Sequence, residues 1–599
     1  MKRRSTRLAA LVLVLALAGA ALGLTASRGP ARQGGEQALG IAREGSSAER
    51  AREAQTSATA PAATLGPHVG TGEFQGASPP VADLPVVQAP LVTSVNARDS
   101  EHLTAAKGST NVKDPVIQKK KGSGPLSAPL ASFDGICLPF GPPCAEASSC
   151  SCLPPDTNGA AGATQYVQMV NSDFAVYSKT GAVLRHATPI NELWSSAGGE
   201  CANHNDGDPV VVYDQYAGRW LLSEFVAQPA AGESYGECVA ISQGGDATGA
   251  YNLYFFDFGP STFLDYPHFG VWRDGYYMSA NEFPTGQETS SGAAAIVFER
   301  DKMLAGAPAR FVWFDEAAAN PPGGQYIGQL PADADGSRLP NAGEPNVFAE
   351  VDDPASIPPL GGDTGFDMRL WNFHVDWSNP QSSTFGKAGQ PSATIPVAPF
   401  VRPQCTYGFG DCPLQKGGPE GLDALGDRLM FRLAYRNFGD HESLVLNHTV
   451  KADAVDGIRW YEVRSPATKP VVYQQGTYAP DDSVTNPQSR WLGSIAMDKQ
   501  GDIAVGFSAS GANDYPSVRY TGRGAGDPPG EMTQAEQVLY TGQGPQTEPE
   551  GRWGDYSELS VDPANDCTFW FTSEYLTTDT VVIGSWATRI GAFRFPGCK

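Results

Sequence analysis

The chain has 599 residues, of which 18% are charged and 41% hydrophobic, with 68 Gly and 48 Pro. So many residues that disfavour helix interiors exclude a helical bundle, a coiled coil or a helical solenoid. The net charge of −23 is uneven: residues 1–130 carry 15 Lys+Arg against 9 Asp+Glu, leaving 27 against 56 beyond them, and a body so acidic excludes a nucleic-acid partner by repelling phosphates.

At the start, Lys2, Arg3, Arg4 and Arg7 precede a 17-residue apolar run over 8–24, with small residues at Ala21 and Gly23. This is the pattern of a secretory signal peptide, placed at 1–26. The run is slightly short for a membrane span, and no later segment approaches 18 consecutive apolar residues. The protein is expected to be exported, secreted to the extracellular space or the periplasm, with no membrane insertion after signal-peptide removal.

Residues 27–130 are dominated by Ala, Ser, Thr, Gly, Pro and Gln and contain no Trp. Such a composition buries too little apolar surface to offset chain entropy, which predicts a disordered linker or pro-segment ending near Lys119, Lys120 and Lys121. All 11 Trp lie beyond position 193, so the folded body is placed at 131–599. All ten Cys lie between 137 and 598, which reads as a disulfide framework in an exported chain. Cys201 with Cys238, Cys405 with Cys412, and Cys567 with Cys598 are the pairings expected from closeness in sequence. The CxC at Cys150 and Cys152 lacks a second pair at zinc-like spacing.

The body repeats a pattern rather than an identity. GDPVVVYDQYAGRWLLSEF (207–225), LDYPHFGVWRDGYYMSANEF (264–283) and WGDYSELSVDPANDCTFWFTSEY (553–575) each give an acid, a strand, a polar turn, then an aromatic strand ending in Glu and an aromatic residue. Glu224 and Glu282 are 58 residues apart and Glu574 lies 292 further on, close to five such periods. Weaker copies lie at 165–184, 344–377, 428–450 and 491–510. Seven copies, each with room for four short antiparallel strands, predict an all-β fold, a β-propeller of seven blades, with six as the alternative because the fourth copy is irregular.

The stretches PPDTNGAAGATQYVQMVN (154–171), GDPVVVYDQ, LPADADGSRLP (330–340), RLAYRNFGDHESLVLNHTV (432–450) and RWGDYSELSVDP (552–563) resemble secreted bacterial β-propeller proteins that carry no firm activity assignment. More distantly, Asp208-Pro209 at the head of a strand resembles propeller glycosidases of the arabinanase and fructosidase type. The sialidase Asp-box, S-x-D-x-G-x-T-W, is absent in proper form; the stretch SVDPANDCTFW departs from it in spacing.

Blade topology predicts where chemistry gathers. Acids at inner-strand heads (Asp208, Asp265 and Asp555, with Glu344 and Asp427) fall at one mouth of the central channel. Glu224, Glu282 and Glu574, ending second strands, return to the same face. Crowded carboxylates there would have split pKa values, as general acid/base chemistry requires, and glycoside hydrolysis needs two of them. Asp208 and Asp265 are the base or nucleophile candidates and Glu282 or Glu224 the acid. Tyr266, Trp553 and Tyr556 are placed to stack on sugar faces, with His268 beside them.

A histidine and arginine group (His374, His441, His448, Arg436 and Arg459) offers a polysaccharide-lyase alternative, Arg neutralising a uronate while His moves the proton. Asp333 and Asp335 in DADG, with Asp363/Asp367 and Asp562/Asp566, offer oxygen ligands for a structural calcium. No organic-cofactor fingerprint, P-loop or G-x-S-x-G occurs. The expectation is a carbohydrate-active enzyme, a monomer acting on an extracellular polysaccharide or glycoconjugate; the competing one is a non-catalytic propeller that binds glycan or protein.

Overall fold

Successive antiparallel meanders make up the fold, each strand hydrogen-bonded to the next in sequence. The computed structural model describes residues 65–86, 96–97, 112–138, 146–149 and 152–599, except 288, 322–323, 355–364, 407–408, 419–420, 481–484, 549–550 and 578–585. The signal peptide expected at 1–26 and the candidate Asp363 lie outside the described residues. Those described belong to one unit, Ala63–Lys599.

The first meander is Asn158–Ala161, Gln165–Val170, Asp173–Ser178 and Val183–Pro189. The second is Val210–Asp214, Arg219–Val226, Tyr235–Ser242 and Tyr251–Gly259. The third is Thr262–Val271, Tyr276–Pro284, Gly292–Phe298 and Ala309–Asp315. In the fourth, Leu330–Asp335, Asn346–Asp352 and Asp367–His374 are completed by Thr384–Phe385 and Ala393–Pro396. The fifth is Met430–Asn437, Glu442–Ala452, Val455–Arg464 and Val471–Tyr478. The sixth is Ser489–Met497, Ile503–Gly511, Asp514–Arg523 and Gln537–Tyr540. The last, Glu558–Val561, Thr568–Leu576 and Trp586–Arg594, takes its fourth strand from Ala131–Cys137, so the chain's two ends meet in one sheet.

The first strand of every meander neighbours the first strand of the next, and that of the last neighbours that of the first. Most of these inner strands leave one backbone edge unpaired, and side chains of the neighbouring inner strand satisfy it. Val211 N–H donates to Asn158 Oδ1 (2.8 Å), Val271 N–H to Asp333 Oδ1 (2.9 Å), Leu559 N–H to Ser494 Oγ (2.9 Å) and Gly159 N–H to Glu558 Oε2 (2.9 Å). Between the fourth and fifth meanders the inner strands pair directly, in parallel, Ala332 opposite Leu433.

The expected linker over 27–130 is corrected in two places. His68–Ala77 is a strand inserted between the outer edges of the second and third meanders, pairing with Tyr251–Gly259 and Ala309–Asp315. Its glycines are required by contact rather than by flexibility: a Cβ at Gly70 would lie 2.2 Å from the Phe311 ring, and at Gly72 2.3 Å from Phe256. Further on, Ile117–Gln118 pairs in parallel with Thr477 and Tyr478, and Gly124 N–H donates to the Thr533 carbonyl (2.9 Å). The composition is poor in apolar side chains because this segment holds on through its backbone.

The disulfides Cys201–Cys238, Cys405–Cys412 and Cys567–Cys598 are those expected from spacing. Cys137 and Cys152 are also disulfide-bonded.

One buried ion pair fastens the N-terminal segment: Arg459 Nη2 lies 2.7 Å from Asp114 Oδ2, with side chains 0% and 3% exposed. Asp114→Ala would leave the guanidinium buried without its counter-charge, at a cost of about 3 kcal/mol. The check is chemical denaturation of the variant beside the wild type; an unchanged midpoint would show that the segment is not fastened there.

Candidate active site

The candidate residues gather where the chain enters the inner strands. Asp156 precedes the first meander, Asp208 the second, Asp427 and Arg428 the fifth, and Arg552 to Tyr556 the last; Asp265 and Tyr266 sit at a bulge in the third meander's first strand. Asp156, Asp208 and Tyr266 have positive φ (44°, 44° and 58°), a region that costs a non-glycine residue about 1–3 kcal/mol. Tertiary hydrogen bonds hold them: Asp208 N–H donates to Asn171 Oδ1 (2.8 Å), and Asn171 Nδ2 donates to Asp156 Oδ2.

Asp555 stands at the centre. Its N–H donates to Asp156 Oδ1 (2.7 Å) and its carboxylate lies 3.1 Å from Arg552 Nη1. Its charge reaches both Asp156 and Asp265. Burial, then the Asp555 charge, pushes Asp156 up to about 8 and Asp265 up to about 6. Arg428 pairs with Asp427 (2.9 Å) and stacks over the Tyr266 ring at 4.8 Å. Asp265, Asp427 and Asp555 are part-exposed, whereas Asp156 is buried.

The floor is aromatic. Tyr266 and Tyr556 meet edge-on at 5.9 Å, and Tyr556 Oη donates to the Pro209 carbonyl (3.0 Å). His268 stacks on Phe431 at 4.7 Å with neither ring nitrogen hydrogen-bonded, and burial followed by the Arg428 charge lowers it to about 3. It is a neutral imidazole at working pH.

Of the expected site residues, Asp208, Asp265, Asp555, Tyr266, His268, Tyr556 and Glu574 come together. Glu574 Oε1 accepts from Gly554 N–H (2.9 Å), buckling the loop that carries Asp555, and burial raises its carboxyl well above the usual range. Glu224 is buried in the second meander's second strand, one residue past the Ser223 that pairs with Val210. The others are placed differently. Glu282 accepts from Trp313 Nε1 (3.2 Å) towards the outer strands of its meander. Trp553 is 2% exposed, packs on Trp491 and donates to Ser508 Oγ (3.2 Å); like Tyr266 and Tyr556, it is packed floor and not an open stacking surface.

Arg436 makes a bidentate pair with Asp566 (2.9 and 2.7 Å) near the far end of its inner strand. A strand of that length spans about 25 Å, so neither Arg436 nor His441, just beyond it, joins the carboxylates at the head. His441 pairs instead with Asp440 (2.8 Å). Asp333 and Asp335, expected as calcium ligands, both accept from Arg432 (2.7 and 2.8 Å). Sequence reading missed Asp156, Asn171, Arg428 and Arg552; Asp156 was visible as the first meander's counterpart of Asp208, in PPDTNG beside GDPV.

No protein family matches the chain, and no curated protein matches it. Among solved structures the chain is similar to the sialidase of Trypanosoma rangeli in complex with sialic acid, at 11% identity and a TM-score of 0.34 over 71% of this chain and 57% of that one. The alignment thus spans little more than half of that sialidase. It is also similar to an ulvan lyase (10%, TM-score 0.31, 81% and 98%) and to an arabinanase of Bacillus subtilis (12%, TM-score 0.23, 53% and 93%). Likenesses this distant leave the argument with the chain's own strands and side chains.

The Asp156 carboxyl has a pH signature. A carboxyl raised in the folded state adds stability that is complete below its unfolded pKa, near 4, and is lost as pH rises through about 8. Asp156→Asn should flatten the fall in unfolding free energy between those limits, whatever it does to the midpoint. Equal slopes in variant and wild type would place the titration elsewhere.

Proposed function

We propose that the chain is a seven-bladed β-propeller, exported and monomeric, that hydrolyses glycosidic bonds of a polysaccharide or glycoconjugate at the mouth where the inner strands begin. The ring of first strands, each followed by three more outward, supports the architecture. Export accords with the disulfides; among the described residues no helix is long and apolar enough to cross a membrane.

One observation carries the chemistry: two part-exposed carboxyl groups, Asp265 and Asp555, share a site in which burial, then the charge of the second, raises the first. That is the division of labour a glycosidase needs. Asp265 holds a proton near pH 6 and donates it to the leaving glycosidic oxygen. Asp555, ion-paired with Arg552, attacks the anomeric carbon or activates the water that does. The acid role thus moves to Asp265 from Glu282 and Glu224. Arg428 and Arg552 offset the charge of the acids, so a neutral or carboxylate-bearing sugar can approach.

The test is release of reducing ends by the purified chain, disulfides intact, across a panel of polysaccharides. Asp265→Asn and Asp555→Asn should each lower kcat by about 10²–10⁴-fold. Wild-type kcat should fall as pH rises through about 6, when Asp265 loses its proton. Silence across the panel, with glycans retained on an affinity column, would replace the hydrolase with a binding propeller.

A further inference from the structure

Away from the carboxylate mouth, a groove of ≈ 170 Å³ opens between the fifth and sixth meanders. Its floor is Arg523 at the end of the sixth meander's third strand, and its walls include Tyr473 with Arg464 and Phe438 with His441. The Arg464 guanidinium lies 3.4 Å from the Tyr473 ring centroid, and the Phe438 and His441 rings stack at 4.8 Å. Tyr473 nevertheless stays 52% exposed, an unusual position for a large aromatic.

The groove's acids are already used. Glu462 accepts from Ser443 Oγ (3.0 Å), Arg464 Nε (2.9 Å) and Gln474 Nε2 (2.5 Å). Asp527 accepts from Gly524 N–H (2.7 Å), Gln534 Nε2 (3.1 Å) and Thr533 Oγ1. Arg523 is 3% exposed and spends Nη2 on the carbonyls of Asp527 (2.5 Å) and Pro528 (3.4 Å), while its Nε is buried without a hydrogen-bond partner. A guanidinium N–H left unpaired in the protein is unfavourable unless a ligand completes it. Burial lowers the Arg523 pKa even with Glu462 and Asp527 nearby, so their charges do not offset its desolvation.

We propose that this groove is a second, non-catalytic binding site for a carboxylate-bearing pyranose, a uronate residue, with its carboxylate on Arg523 and its ring against Tyr473. The space matches a single sugar ring, and flat aromatic faces beside guanidinium groups suit a sugar that carries one negative charge. A multiply charged phosphate is disfavoured by the chain's net charge of −23. The site stands independently of the hydrolase reading, since none of its residues belongs to the mouth.

The experiment is calorimetric titration of the full chain with D-glucuronate and, separately, with D-glucose. Glucuronate should bind at least about tenfold more tightly than glucose, a difference of about 1.4 kcal/mol. Arg523→Gln should weaken it by a similar factor. Tyr473→Ala, at an exposed position that leaves the fold intact, should also weaken it, whereas Asp265→Asn in the mouth should leave the binding that depends on Arg523 unchanged. No saturable heat, equal affinity for glucose, or indifference to both groove substitutions would overturn the proposal. Loss of binding in Asp265→Asn alone would assign the sugar to the mouth and overturn it equally.

Discussion

The constraint on which the structure depends is the unpaired inner edge of the first strand in most of the meanders. A strand edge facing a narrow channel must satisfy its backbone N–H groups without a full partner strand or bulk water. The chain meets this with short polar side chains aimed across the gap: Asn158 for Val211, Asp333 for Val271, Ser494 for Leu559 and Glu558 for Gly159. Because each bond joins one meander to the next, the same bonds set the spacing of the ring. Polar residues that look like candidates for chemistry are therefore divided between holding the ring and furnishing the mouth.

That division explains the character of the site. Asp156 has one oxygen on the Asp555 backbone and the other on Asn171, so it positions the loop rather than meeting a ligand. Glu574 does the same for Gly554 from the second strand behind it. With those two fixed, Asp555 is set beside Arg552, and its charge adds to the burial that raises Asp265. The strained backbone at Asp156, Asp208 and Tyr266 belongs to the same arrangement: the first two residues lead the chain into an inner strand, and Tyr266 sits at the bulge within one.

The outer edges raise the opposite problem, being long and open to other chains. The N-terminal segment covers several in succession: His68–Ala77 against the second and third meanders, Ile117–Gln118 against the fifth, and Ala131–Cys137 as the last strand of the final one. Compositional reasoning judges a segment by the apolar area its side chains can bury. A strand added through its backbone, with Gly70 and Gly72 yielding space to Phe311 and Phe256, escapes that test.

By itself the sequence determined the periodic part. Alternating strands at near-constant spacing, an acid at the head of several, and cysteines close enough to pair all follow from local pattern, and so Asp208, Asp265, Asp555 and the three disulfides were legible. Tertiary structure decided which polar groups share a site, because that depends on which other meanders adjoin. Arg432 could not be matched to Asp333 and Asp335, nor Arg428 to the Tyr266 ring, without knowing which inner strands adjoin. The same holds for the burial of Trp553 and the distance of Arg436 from the mouth: a strand's two ends look alike in sequence, and only the closed ring sends them to opposite faces.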